Sequence, residues 1–95
     1  MATYVILSKL SAETLGEPAQ LRQRAETVAT KIKTECPKIR WKDSYAVMGR
    51  FDVVDIVDAD TPAEVEKAAM LIRAHGHATT ETMHATPWKD FLRGL

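Results

Sequence analysis

The chain has one cysteine, no asparagine, four glycines and four prolines among its 95 residues. The single cysteine, Cys36, cannot close an internal disulfide, so a reducing compartment, the cytoplasm, is the expected setting. No apolar run approaches the roughly 20 residues that a membrane-spanning helix needs. Ser8 and Lys9 break the apolar start, which excludes the pattern of a secretory signal. A soluble protein without a membrane partner is therefore expected. Neither sign of charge dominates: 13 Lys and Arg stand against 13 Asp and Glu. No basic patch outweighs its acidic neighbour, so nucleic acid is not an expected partner. No Gly-x-Ser-x-Gly elbow and no glycine-rich phosphate loop occur.

The charges present are segregated. Residues 17–42 carry seven Lys or Arg against three Glu, and residues 43–66 carry seven acids against Arg50 alone. Such asymmetry suits either a complementary self-association surface or two solvated faces.

Ninety-five residues suffice for one domain, expected to span residues 1–95. Thr3–Leu10, "TYVILSKL", is a β-branched and aromatic run and reads as a strand. Ser11–Gly16 reads as a loop. Glu17-Pro18 opens a helix, where proline's missing N–H costs nothing. Leu21, Ala25, Val28, Ile32 and Cys36 follow at helical spacing as its buried stripe, and Pro37 stops it. Ile39–Met48 and Phe51–Ala59 read as two strands joined by a Gly49-Arg50 turn of type II′. Thr61 caps a second helix, with Pro62 at its first position and Glu64 completing a capping box. Val65, Ala68, Ala69 and Ile72 form its apolar stripe, and Gly76 is the expected left-handed cap. His77–Ala85 reads as the fourth strand. Thr86-Pro87 begins a short helix with Trp88, Phe91 and Leu92 on one side.

The order predicts an α+β, ferredoxin-like βαββαβ fold. It consists of a four-stranded antiparallel sheet, two helices on one face and a short C-terminal helix. The two-residue turn sets a register in which Ser44 pairs with Asp55, Ala46 with Val53 and Tyr45 with Val54. Both sheet faces are then largely apolar near the turn. One is covered by helices, and the other needs a partner, for which a second copy of the chain is the simplest choice. A homodimer, or a higher oligomer built from it, is expected.

Other activities of this topology fail on composition. Metal chaperones need paired cysteines, acylphosphatases need an asparagine, and RNA-recognition motifs need aromatics where Val53, Asp55 and Val57 stand. The histidines, His75, His77 and His84, do not form a metal triad, because a regular strand turns His77 and His84 to opposite faces. No metal and no cofactor are expected.

Three segments resemble the GYD-domain family: "YVILSKL", "VMGRFDVVDIVDA" and "GHATTETMHA". Together they span most of residues 4–85. The family's name-giving Gly-Tyr-Asp pattern commonly has one residue between glycine and tyrosine. Here it reads Gly49, Arg50, Phe51, Asp52. The resemblance implies a ferredoxin-like fold that dimerises through its sheets, similar to the wider dimeric α/β-barrel group. That group includes cofactor-free monooxygenases, haem-degrading enzymes, lactone isomerases and ligand-binding modules of regulators, and the family itself has no settled role. Phe51 lacks the family's phenol hydroxyl, which favours a structural corner: Gly49 supplies a positive φ, Phe51 packs, and Asp52 hydrogen-bonds the turn. Asp55 stands where the family usually carries an apolar residue.

A carboxylate inside the central run "VVDIV" is costly unless it is paired, hydrogen-bonded or protonated. Ser8 and Ser44 share its face and are its expected partners. Two functions fit. The first is a non-catalytic homo-oligomeric module that binds a small ligand or a protein partner at or near the inter-sheet space, with Ser8, Ser44, Tyr45 and Asp55 as ligand-binding candidates. The second is a cofactor-independent monooxygenase- or isomerase-like enzyme. In it Asp55 is the general base, and Ser8, Tyr45 or His84 orients the substrate.

Overall fold

The computed structural model describes residues 1–95. Strand β1 (Ala2–Leu10) leads through a single helical turn, α1 (Ala12–Leu15), into the long helix α2 (Pro18–Glu35). Strands β2 (Arg40–Ala46) and β3 (Val53–Ala59) follow, then helix α3 (Pro62–Gly76), strand β4 (Ala78–Ala85) and helix α4 (Trp88–Arg93). The strands lie in the order β2-β3-β1-β4, with every neighbouring pair antiparallel. This is the expected ferredoxin-like α+β architecture.

The segment read as a loop at Ser11–Gly16 contains α1. The Ser11 hydroxyl accepts the Thr14 N–H at 3.2 Å, so a local cap nucleates a turn there. Thr14 is fully buried, and its hydroxyl receives the Arg24 guanidinium of α2.

Helix α3 begins with the expected Thr61 cap, its hydroxyl accepting the Glu64 N–H at 3.4 Å, and with Pro62 in the first turn. The capping box is incomplete, because the Glu64 carboxylate meets the Thr61 hydroxyl rather than its backbone N–H. Its end differs from expectation. Gly76 remains helical, and His77 takes the left-handed conformation at φ 53°, ψ 55°. Gly76 serves packing instead: a Cβ there would lie 3.4 Å from Val28 Cγ2, where α3 meets α2.

The hairpin register between β2 and β3 is the expected one for Ser44–Asp55, Tyr45–Val54 and Ala46–Val53. The corner is looser than a type II′ turn. The last interstrand bond runs from the Val47 N–H to the Asp52 carbonyl at 2.9 Å. Gly49 has φ 156°, positive as expected but far from the approximately +60° of that turn. The Asp52 side chain does not bind the turn. Its carboxylate accepts the Leu10 N–H at 2.8 Å, and its own N–H donates to the Ser8 carbonyl, so it extends the β1–β3 ladder by a step.

Alternation along β1 and β3 assigns the sheet faces. Tyr4, Ile6 and Ser8 of β1, with Asp55, Val57 and Ala59 of β3, are buried on the helix side. Of these, Tyr4, Ile6, Val57 and Ala59 pack with Ile32 of α2, Cys36 at its C-terminal end, and Val65, Ala68 and Ile72 of α3 as one core. Helix α3 lies over β1, β3 and β4, while α2 leans chiefly on α3. The stripe expected on α2 is consequently graded: Ile32 and Cys36 are buried, Leu21 and Val28 half-buried, and Ala25 exposed. The N-terminal half of α2 stands away from the β2–β3 half of the sheet.

Candidate functional site

Two surfaces merit functional reading. The first is the sheet face away from the helices. Val5 and Leu7 of β1 pair with Ile56 and Val54 of β3, and Met83 and Tyr45 lie on the flanking strands. Tyr45 is 54% exposed and Met83 47%. In helix α4, Trp88 and Phe91 stack on each other at a centroid distance of 5.6 Å, and both are exposed, as is Leu92. At one end of this face Asp58 accepts the Thr3 hydroxyl at 2.7 Å and lies 3.7 Å from Lys42 Nζ. The Thr3 bond, ahead of the lysine charge, lowers the Asp58 pKa.

The second surface is a cleft of about 710 Å³ between α2 and the helix-facing side of β2 and β3. Leu21, Val28 and Ile32 form its apolar wall, and Ser8, Ser44 and Asp55 lie in its floor. The cleft exists because α2 rests on α3 and leaves this half of the sheet uncovered.

Asp55 is 7% exposed. One carboxylate oxygen, Oδ1, accepts the Ser44 hydroxyl at 2.5 Å and the Trp41 indole N–H at 3.3 Å. The same indole N–H lies 2.9 Å from Ser44 Oγ, which closes a small three-membered network. The other oxygen, Oδ2, has no protein partner, and no Lys or Arg pairs with this carboxylate. Burial raises the Asp55 pKa, and the bonds from Ser44 and Trp41 offset that only in part. Ser8 is 2% exposed, and its hydroxyl meets no hydrogen-bond partner.

The structure therefore unites three of the sequence candidates, Ser8, Ser44 and Asp55. It places them on the helix-covered face rather than toward an inter-sheet space, because Asp55 pairs with Ile6, whose side chain lies in the core beneath the helices. Tyr45 does not join them: it neighbours Ser44 and so points to the opposite face. His84 stands on edge strand β4, edge-on to Tyr4 at 5.5 Å, and does not line the cleft. Gly49, Phe51 and Asp52 form the hairpin corner, outside the cleft. Cys36 lines the cleft, but burial raises its thiol pKa, which favours the inert protonated form. No group of three His, Cys, Asp or Glu side chains converges in a metal-holding arrangement. No helix is long and apolar enough to cross a membrane.

Trp41 was not foreseen. Strict alternation would set it on the face of Asp43 and Tyr45. A bulge between Trp41 and Asp43 shifts the register, so Trp41 pairs with Val57 and turns to the helix side. The tryptophan in "IRWKDS" carried no sequence signal for that switch.

The sheet order and helix placement define a ferredoxin-like α+β protein. The chain belongs to the GYD domain family, whose model matches residues 4–94. It is 27% identical over 95 residues to the glutamine synthetase and cystathionine β-lyase binding protein of Thermus thermophilus, covering 100% of this chain and 99% of that one. Among solved structures it resembles FFRP-DM1, with a TM-score of 0.60 and 25% identity over 90% of this chain and 100% of that one. The leucine response regulatory protein of Mycobacterium tuberculosis shares the fold at a TM-score of 0.58 and 13% identity. That match covers 90% of this chain and 51% of the regulator.

Proposed function

We propose that the chain is a non-catalytic, cytoplasmic binding module that pairs with itself through the open sheet face and uses the resulting dimer to hold a protein partner. The observation that carries this reading is the continuous apolar surface of Val5, Leu7, Val54, Ile56, Tyr45 and Met83. A monomer this small gains little by leaving such a surface in water, and a two-fold copy of the same face buries it at once. The exposed aromatics of α4 are anchors of the type that interfaces favour. The Thermus relative, named for binding glutamine synthetase and cystathionine β-lyase, supports a protein partner.

Two measurements test this. Sedimentation equilibrium at micromolar concentration should give twice the 10.6 kDa chain mass. A monomer there would overturn the self-association. Calorimetric titration against purified glutamine synthetase and cystathionine β-lyase from the same source should show saturable binding to at least one. Silence with both would overturn the partner class.

The buried Asp55 beside a cleft also supports the alternative, a cofactor-independent enzyme with Asp55 as general base. Ala25, Ala29, Lys33 and Ser44 along the cleft are exposed. A cleft so open to water suits binding better than chemistry that needs its exclusion.

A further inference from the structure

The cleft under α2 combines features that core packing does not require. Its walls are apolar, and its volume of about 710 Å³ falls within the range of small-molecule sites, roughly 300–1,000 Å³. Its floor holds two polar side chains whose bonding capacity is not met by the protein. Ser8 Oγ is buried without a partner. Asp55 has both protein bonds on Oδ1, none on Oδ2, and no cationic neighbour within ion-pair distance.

A buried carboxylate without a counter-charge is unfavourable, and a buried hydroxyl without a partner adds to that cost. Both costs fall if one incoming group donates to both atoms and brings a positive charge. An ammonium does this, because it carries three donors and no acceptor.

We propose that this cleft binds a small amphipathic amine. Its alkyl or aryl body lies along Leu21, Val28 and Ile32, and its ammonium donates to Asp55 Oδ2 and Ser8 Oγ. The cationic side chains that line the cleft do not forbid this. The Arg24 guanidinium is held by the Thr14 hydroxyl, and Lys33 is solvent-exposed, where water and salt screen its repulsion. Trp41 orients the carboxylate from the side and reports on the site.

The site lies on the sheet face opposite the proposed self-association surface. A monomer that binds amines and a dimer that ignores them therefore contradict different claims.

The test uses the full-length chain carrying Trp88→Phe, which leaves Trp41 as the sole tryptophan of the two. Titration with phenylethylamine should shift Trp41 emission saturably. Phenylethanol, which lacks the charge, and phenylpropionate, which inverts it, should bind roughly tenfold or more weakly. Asp55→Asn should weaken the amine by a similar factor and leave the alcohol unchanged. Ala29→Phe, which narrows the cleft from α2 without touching the floor, should weaken all three probes. It decides the location even if the Asp55 variant does not fold. An absent or non-saturable amine response overturns the proposal, as does equal affinity for amine and alcohol. Unchanged amine affinity in folded Asp55→Asn or in Ala29→Phe does the same.

Discussion

The two faces of the sheet are close in apolar content but differ in what covers them and in how they treat charge. Strand β3 shows the contrast within three residues. Asp58, toward the open face, is bonded by Thr3, lies near Lys42, and has its pKa lowered. Asp55, toward the helices, is bonded by Ser44 and Trp41 without a cation, and burial raises its pKa. One carboxylate is placed where its charge is welcome and the other where it is not. A charge kept at an unfavourable position is a better guide to binding than one kept at a favourable position, because stability alone does not account for it.

Neighbouring residues on β1 provide the sharpest test of this contrast. Ile6 is fully buried in the core, so Ile6→Ala should cost about 2–5 kcal/mol in urea unfolding at any protein concentration. Leu7 faces the open side. Leu7→Glu should leave the chain folded by circular dichroism but convert the dimer to monomer in sedimentation. If both variants lose stability independently of concentration, the open face is not an interface.

Asp55→Asn should raise the melting temperature at neutral pH. The sign follows from linkage. A group whose folded pKa exceeds its unfolded value stabilises the fold below the unfolded value, near pH 4, and that contribution is lost as pH rises through the folded pKa. Removing the charge removes the loss, so the gain should fade in melts below about pH 4. Asp58→Asn should do the reverse. Its lowered pKa stabilises the fold above the unfolded value, so the variant should be weaker at neutral pH and indistinguishable in acid. Equal pH profiles for the two variants would erase the distinction between the faces.

The smallest effect belongs to the end of α3. His77 holds a left-handed conformation that glycine adopts without steric cost. His77→Gly should gain roughly 0.5 kcal/mol in thermal unfolding, since relief of the folded backbone is offset in part by a more disordered unfolded chain.

The fold was legible because its signals are local and agree with one another. Proline and threonine mark the start of α3, its apolar stripe recurs at helical spacing, and the hairpin register follows from counting outward from Gly49-Arg50. The three-residue network was half legible. Ser44 opposite Asp55 follows from that register, but Trp41 depends on a bulge, which nothing in the local residue types announces. The cleft was not legible. It depends on α2 leaning on α3 instead of on the strands, a matter of how much volume Ala25 and Ala29 fail to fill. The end of α3 was misread for a related reason: Gly76 is small because α2 passes close by, and the turn falls to the next residue.

The bulge beside Lys42 has one more consequence. Strand β2 is an edge of the sheet, and an edge offers unpaired backbone groups to any other extended chain. An irregular stretch carrying Arg40, Lys42 and Asp43 is a poor template for such addition. Growth by strand addition is therefore discouraged at that side. The flat of the sheet is left as the surface for the proposed self-association.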